Sequence, residues 1–178
     1  MEASRTKVDL GTYIAAELSR YSVFDLQVIM GKARYEVDRL PTGYRQAVRP
    51  YLLDHMVGQH HRILSIRTTG RFPGARESIS DPETFSSFCR MVPEGCSADH
   101  GEGTYLPYYR SPNHRLFYYL LSAFEMFVLE RPGHPVGMPF PGGLRVAERG
   151  GCYLCPIRDK EKEVTFSICN FCPAKQSP

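Results

Sequence analysis

The length, composition and charge of the chain are those of a folded globular protein. Its 178 residues carry 42% hydrophobic, 12% aromatic and 23% charged side chains, which excludes an intrinsically disordered chain. The formal net charge of +3 is too small to argue by itself for binding to nucleic acid or to an anionic membrane.

The sequence also bears on location. Its start, Met1–Arg5, lacks the apolar core of a signal peptide, and no apolar run approaches the roughly eighteen residues that a membrane span needs. We therefore expect a cytoplasmic protein without membrane insertion. In a reducing compartment, cysteines arranged as CxxC pairs more often bind metal or carry redox chemistry than form disulfides.

The N-terminal part of the chain has the periodicity of helical hairpins. Apolar residues at helical spacing predict a first helix over residues 9–21, with Asp9 as its cap. Ser22 and Asp25 have the spacing of a capping box, which predicts a second helix over residues 23–38.

Proline and glycine punctuate the next segments. Thr42 is predicted to cap a short third helix, and Pro50 to occupy the first turn of a longer one. Residues 68–80 are predicted to form a loop, and a helix beginning at Asp81 is predicted to fade near Pro93. Residues 93–111 have no periodicity and are predicted to form a long loop.

The strongest helical signal begins at Ser111 and ends near Glu130. Its side chains are apolar on nearly all faces, which predicts a helix at the centre of a bundle. Glu125 interrupts this apolar surface, and a buried carboxylate needs a partner or a shifted pKa. A structural ion pair is the favoured interpretation of Glu125, ahead of a catalytic acid.

The C-terminal part is predicted to be a metal-bearing hairpin. Residues 134–143 are rich in Pro and Gly and form an ordered connector, whereas residues 144–154 and 164–168 are predicted strands, each leading into a CxxC turn. We expect a mainly α-helical fold with a bundle over residues 1–133. Residues 134–178 are predicted to pack on it as one unit.

Four cysteines carry the most specific chemistry in the sequence. Cys152 and Cys155 form one CxxC pair, and Cys169 and Cys172 form a second. The thirteen residues between the pairs can return the second pair beside the first, as in a zinc ribbon. The sequence therefore predicts a four-thiolate metal site, with a structural role favoured because no ligand position is left open for a substrate.

The identity of the metal stays open between zinc and a [4Fe–4S] cluster. Four thiolates suit tetrahedral zinc, yet Pro156 and Pro173 each follow a cysteine, as is common in cluster-binding sequences. Either species leaves a negative site, which nearby cations are placed to compensate. These are Arg149, Arg158, Lys160, Lys162 and Lys175.

Other candidate residues have weaker patterns. Buried thiols, solvated or core histidines, and a tyrosine–arginine surface for stacking nucleic-acid bases are the ordinary interpretations, and none matches a known catalytic motif. The residues concerned are Cys89, Cys96, His60, His61, Asp99, His100, His134, Tyr105, Tyr108, Tyr109, Arg110 and Arg115.

Three segments resemble a known family. The helix over residues 118–130, the connector over residues 134–143 and the cysteine tail from Cys155 resemble an uncharacterised protein family of methanogenic archaea, a domain of unknown function. The resemblance implies an anaerobic archaeal cytosol, which raises the iron–sulfur alternative. It also centres on Cys155, Cys169 and Cys172, since relatives often hold another residue in place of Cys152.

The sequence leads to one favoured function and two alternatives. The favoured function is a non-catalytic, metal-binding accessory or regulatory protein that docks on a larger enzyme complex of methanogenesis and responds to redox state or oxygen. The first alternative is a zinc-ribbon protein that binds nucleic acid through the hairpin cations. The second is an enzyme, which would require Glu125 or His134 to converge in a pocket.

Overall fold

The computed structural model describes residues 1–72, 77–98 and 111–177. The fold is mostly helical and carries a small three-stranded sheet near its C-terminus, which confirms the predicted fold class. Its core is one continuous hydrophobic cluster to which helices, connector and sheet all contribute.

The first helix, α1, spans Lys7–Leu18. Thr6 is its N-cap, and the Asp9 side chain accepts a hydrogen bond from the Thr6 backbone in a reciprocal capping box. The prediction of Asp9 as the cap was therefore wrong, because Asp9 is the third residue of the helix and the partner of Thr6 in the capping box. The apolar pattern begins at Leu10, so sequence periodicity placed the start too late.

Helix α2 spans Val23–Asp38 with Ser22 and Asp25 in a capping box, as predicted. Helix α3 spans Thr42–Arg49, but Thr42 is its first residue and makes no side-chain capping bond. The predicted Thr42 cap was wrong because the fixed geometry of Pro41 already supplies the extended residue that precedes the helix.

The next helix begins with a wide turn of π type. This turn spans Pro50–Asp54 and continues without a break into α4, which spans His55–Thr69. The predicted position of Pro50 in the first turn is confirmed. Gly70 ends α4 in the left-handed conformation at φ 66°, a conformation that glycine adopts without strain.

Helix α5 spans Pro82–Ser97 and is capped by Asp81, which accepts a hydrogen bond from the Thr84 backbone. The prediction that it fades near Pro93 was wrong. The guanidinium of Arg115 donates hydrogen bonds to the Gly95 and Ala98 carbonyls, at 2.8 and 2.5 Å. These bonds satisfy carbonyl groups that a helix end leaves free, so Arg115 stabilises the end of α5 beyond the proline.

Helix α6 spans Pro112–Ala123 and ends in a π turn over Phe124–Val128 whose residues are all buried. This confirms the predicted central helix. It packs on α1, α4 and α5. Lys7 joins the beginning of α1 to the end of this helix, because its ammonium pairs with Glu130 at 3.1 Å and with Glu77 at 2.5 Å.

The sheet contains three short strands in the order β1–β2–β3. Strand β1, Ala147–Arg149, pairs antiparallel with β2, Cys152–Cys155, and β3, Lys175–Gln176, pairs parallel with β2. The single strand predicted over residues 144–154 was wrong, because Gly150 and Gly151 turn the chain between β1 and β2. The strand predicted over residues 164–168 was also wrong. A 3-10 turn forms over Ile168–Phe171 instead, because Ser167 caps it.

The C-terminal segment packs directly on the helical core. The Tyr119 hydroxyl of α6 donates a hydrogen bond to the Phe166 carbonyl at 3.0 Å. The Phe88 ring of α5 meets the Phe171 ring edge-on, with centroids 5.4 Å apart. These contacts fix the cysteine-bearing turn against α5 and α6.

Over the same three ranges, no helix is both long enough and apolar enough to cross a bilayer.

Candidate functional site

Three of the four CxxC cysteines lie in the interior of the C-terminal segment. Cys155 at the end of β2 is 2% exposed, and Cys169 and Cys172, in and just after the 3-10 turn, are 2% and 8% exposed. None of them forms a disulfide. The sequence thus brings thiols from two distant segments to one buried region.

Cys152 is separated from these three. Successive side chains of a strand point to opposite faces, and Cys152 and Cys155 are three positions apart on β2. Cys152 is exposed and pairs with Arg149 beside the turn formed by Gly150 and Gly151. The first CxxC pair is therefore part of a strand and not the turn that its spacing predicted.

Burial favours the neutral form of Cys155 and of Cys169. Burial raises the pKa of Cys169 to about 11, and the neighbouring Cys172 and Cys155 add to the shift. Burial likewise raises the pKa of Cys155, with Cys172 contributing in the same direction. A thiol must lose its proton before it can bind a metal.

His134 approaches this cluster from the connector. Its Nδ1 lies 4.0 Å from the Cys169 Sγ. Burial lowers the pKa of His134, so its neutral form is favoured. Within the described ranges, no three Cys, His, Asp or Glu side chains are arranged so that they would hold a metal ion as they stand.

The position of His134 follows from close packing at Gly133. A Cβ at Gly133 would lie 2.6 Å from the Ile168 Cδ1, so glycine lets the connector run against the residue that precedes Cys169. The His134 ring also meets Phe140 edge-on, with centroids 5.5 Å apart. Both contacts direct the imidazole toward the 3-10 turn.

The cations around the motif are only partly free. Arg158 and Lys162 pair with Asp159 at 3.5 and 2.9 Å. The charge of Arg158 weakly opposes the rise that burial causes in the pKa of Cys155. Arg149, Lys160 and Lys175 are exposed.

His134 also lines a small cavity. The cavity has a volume of about 70 Å³, and Glu125 lines it as well. Glu125 is 6% exposed, and no cation of the described chain lies within ion-pair distance of it, so the structure does not contain the favoured ion pair. The Nε2 of Gln59, on the same cavity wall, is buried without a hydrogen-bond acceptor.

His55 adds a second histidine to the lining of this cavity. Burial lowers the pKa of His55, and the charge of Glu125 opposes the shift. The two residues belong to α4 and to the π turn after α6, so no local sequence pattern could have paired them. Helical periodicity did identify Glu125 as a polar group in an apolar surface.

The remaining candidates lie elsewhere. Cys89 is buried and Cys96 is half-buried, both on α5, and burial raises the pKa of each thiol. His60 packs against Phe117, with ring centroids 5.6 Å apart. Arg115 is engaged at the end of α5. The predicted tyrosine–arginine surface and the Asp–His pair otherwise lie outside the described residues: Asp99, His100, Tyr105, Tyr108, Tyr109 and Arg110.

Comparison with known proteins gives a family match over nearly the whole chain. The family model described as "Uncharacterized protein conserved in archaea (DUF2115)" matches residues 6–177. No solved structure matches the chain significantly.

Several individual proteins are similar to this chain. A UPF0305 protein of Methanopyrus kandleri is 39% identical over 72 residues, which are 40% of this chain and 51% of that protein. A UPF0305 protein of Methanothermobacter thermautotrophicus is 40% identical over 59 residues, or 33% of this chain and 38% of that protein. The chain thus spans about half or less of the length of these relatives. A UPF0305 protein of Methanocaldococcus jannaschii is 21% identical over 162 residues, 89% of each chain.

Proposed function

Because the chain belongs to the uncharacterized archaeal family DUF2115, whose methanogen relatives bear names that give no activity, we propose its function from the chain's own chemistry. It is a non-catalytic metal-binding accessory protein of methanogenic archaea. The metal lies in the C-terminal segment, on Cys155, Cys169 and Cys172.

One observation carries the metal-binding part of the proposal. Three cysteines, at the end of β2 and in and just after the 3-10 turn, are buried, and the charges of the other two contribute to the pKa of Cys169. Backbone amides of Ile157 and Arg158 also favour the charged form of Cys155. Thiolates are the preferred ligands of zinc and of iron–sulfur clusters. Binding would require the thiols to lose protons and turn toward one point.

The proposed role is to stiffen a surface that docks on a larger enzyme complex of methanogenesis in the cytoplasm. The methanogen origin of the similar proteins supports this setting. If the metal is a [4Fe–4S] cluster, oxidation would alter it and the docking surface would respond to oxygen. Zinc would make the same surface insensitive to redox state.

Metal content tests the first part. Protein purified without oxygen is expected to contain one zinc ion or one cluster per chain, measured by elemental analysis and by visible absorption. Cys155→Ser and Cys169→Ser should lose the metal, whereas the control Cys96→Ser, on α5, should keep it. Metal-free wild-type protein, prepared in the presence of zinc and iron, would overturn the proposal.

Affinity capture tests the docking role. Tagged protein recovered from a methanogen lysate without oxygen is expected to bring down subunits of one enzyme complex, and Cys169→Ser is expected to lose them. Recovery of the same proteins by the wild type and by Cys169→Ser would show that docking does not depend on the metal site. Recovery of the chain alone would contradict the docking role.

A second candidate function rests on the cavity beside His134. Among the described residues, the buried Glu125 carboxylate has no ion-pair partner and the Gln59 amide nitrogen has no acceptor. Both residues line the same small cavity, which favours a site for a small polar ligand or for proton transfer. Residues kept for function often cost stability. Glu125→Gln should therefore raise the melting temperature, with exposed Glu94→Gln as the control, and a marked decrease would instead assign Glu125 a structural role.

A further inference from the structure

Three buried thiols supply only three ligands, and a closed tetrahedral metal site needs four. The spacing of the sequence and the structure favour different residues as the fourth ligand. Spacing alone assigns it to Cys152, whereas β2 turns the Cys152 side chain to the face opposite Cys155 and leaves it exposed. For Cys152 to join the site, β2 would have to give up its pairing with β1, including the Arg149–Cys152 pair.

His134 lies beside one of the three cysteines proposed as ligands, and the four side chains would still have to turn toward one point to hold an ion. Two ligand atoms bound to one tetrahedral zinc, one sulfur and one imidazole nitrogen, are separated by roughly 3.6 Å, given the usual Zn–S and Zn–N bond lengths. The 4.0 Å between His134 Nδ1 and Cys169 Sγ is close to that separation. In contrast, ligands of a [4Fe–4S] cluster sit on different iron atoms and lie farther apart.

The connector also holds His134 in place without the metal. Gly133 allows the chain to pack against Ile168 at a distance that a side chain would prevent. The Phe140 ring supports the imidazole from one side, and the Tyr44 hydroxyl donates to the Pro139 carbonyl at 3.2 Å. A ligand held by its surroundings loses less conformational freedom on binding.

We propose that His134 is the fourth ligand and that the site is a Cys₃His site for a single zinc-class divalent ion, formed by Cys155, Cys169, Cys172 and His134. This inference rests on the proposed metal-binding function and specifies its ligands. Three thiolates, one neutral imidazole and a divalent ion leave one negative charge. Arg158, whose backbone amide donates to the Cys155 carbonyl at 3.5 Å, is the nearby cation that can compensate it. Cys152 remains a free surface thiol.

Cobalt(II) titration of metal-free, reduced full-length protein tests the ligand set. The intensity of the thiolate-to-cobalt charge-transfer band counts thiolates, so the wild type is expected to show three. Cys152→Ser should give the same spectrum and the same affinity. His134→Ala should weaken zinc binding by about a hundredfold, since one of four ligands is lost.

Two further measurements keep the test valid if His134→Ala folds poorly. His134→Cys should bind cobalt with four thiolates, and the intensity of the charge-transfer band should rise by a third. In the wild type, the ¹⁵N chemical shift of His134 Nδ1 should change on zinc addition, with no change at Nε2 of the kind expected for a bound nitrogen.

The outcomes separate this inference from the function on which it rests. A wild type that binds no cobalt or zinc would remove the metal-binding function itself. A wild type that binds with four thiolates, loses binding in Cys152→Ser and keeps it in His134→Ala would overturn the role of His134 while leaving the metal-binding function intact. An iron–sulfur spectrum in protein purified without oxygen would also overturn the single-ion site.

Discussion

At the scale of single residues, Glu130 combines an unusual backbone with an ionic contact. Among the described non-glycine residues it alone has a positive φ, 56°, a conformation that costs most side chains free energy. Its carboxylate accepts hydrogen bonds from Ser80 and from the buried Lys7. These bonds hold the end of the central helix against the beginning of α1.

Glu130→Gln is expected to lower the free energy of unfolding by about 1 kcal/mol at pH 7, because the carboxylate is half exposed and screened. The hydrogen bonds from Ser80 and Lys7 lower the pKa of Glu130 below its ordinary value of 4.5. The stabilisation is therefore complete above pH 4.5 and is lost as the pH falls through the folded-state pKa.

Urea unfolding of both proteins between pH 3 and pH 7 measures this difference. The difference in the free energy of unfolding between the wild type and Glu130→Gln should become smaller in acid. The exposed control Glu94→Gln should differ little from the wild type at any pH. A difference that does not depend on pH would mean that the substitution acts by changing packing and not by removing the charge.

Metal uptake is expected to depend on pH through the same kind of linkage. Burial raises the pKa values of Cys169 and Cys155, so both are neutral thiols near pH 7 and must release protons to a metal. Zinc binding should release at least about two protons per ion, and affinity should rise with pH. Calorimetry in two buffers of different ionisation enthalpy measures the release, and a heat that is equal in both buffers would contradict it.

At the scale of elements, α5 shows how tertiary contacts override a local signal. Pro93 lies inside the helix, yet Arg115 from α6 satisfies carbonyls at the helix end. Gly95 makes this close approach of α5 and α6 possible, because a Cβ there would overlap the Tyr119 hydroxyl. That hydroxyl in turn donates to the Phe166 carbonyl.

Two glycine-to-alanine changes in helices are expected to act in opposite directions. Gly95→Ala should destabilise the protein by about 1–3 kcal/mol, because the methyl group displaces Tyr119. Gly58→Ala should stabilise the protein by about 0.5–1 kcal/mol. Gly58 occupies an exposed position of α4, and no heavy atom lies within 4 Å of the added carbon. Thermal unfolding measures both changes in stability. If both variants were more stable than the wild type, helix propensity would outweigh the contact with Tyr119.

The elements that the sequence predicted well are those whose signals are local. The Ser22–Asp25 capping box and the start of α5 at Asp81 depend on residues within one turn. The strand predicted over residues 164–168 failed because Asn170 donates to the Val164 carbonyl and Ser167 caps the next turn. The approach of His134 to Cys169 depends on packing between Gly133 and Ile168, which no spacing rule contains.

At the scale of the whole molecule, the helices and the C-terminal segment share one hydrophobic core. The edge-on contact of Phe88 and Phe171 and the contacts of Tyr119 and Tyr44 join them. Residues 1–133 and 134–178 are therefore expected to unfold together, as the sequence predicted for a single unit.

Phe171→Ala is expected to separate the two parts. Loss of this ring should cost about 2–3 kcal/mol, and amides of residues 134–177 should exchange faster than those of α6. Phe24→Ala is the matched control, since its ring is 71% exposed and its removal should change stability by less than about 0.5 kcal/mol. Hydrogen-exchange mass spectrometry compares the two variants. Unchanged exchange in Phe171→Ala would show that other contacts hold the C-terminal segment on the helices.

The parallel pairing of β3 with β2 has a consequence for chain entropy. Cys155 lies opposite Gln176, the Ser177 amide donates to the Cys155 carbonyl at 3.1 Å, and the Gln176 side chain bonds to the Pro156 carbonyl and the Asp159 amide. These bonds close the loop that carries Cys169 and Cys172 at its base. Closing a free loop of about twenty residues costs roughly 3 kcal/mol of conformational entropy, and in this fold the backbone and side-chain bonds of β3 already hold the loop closed.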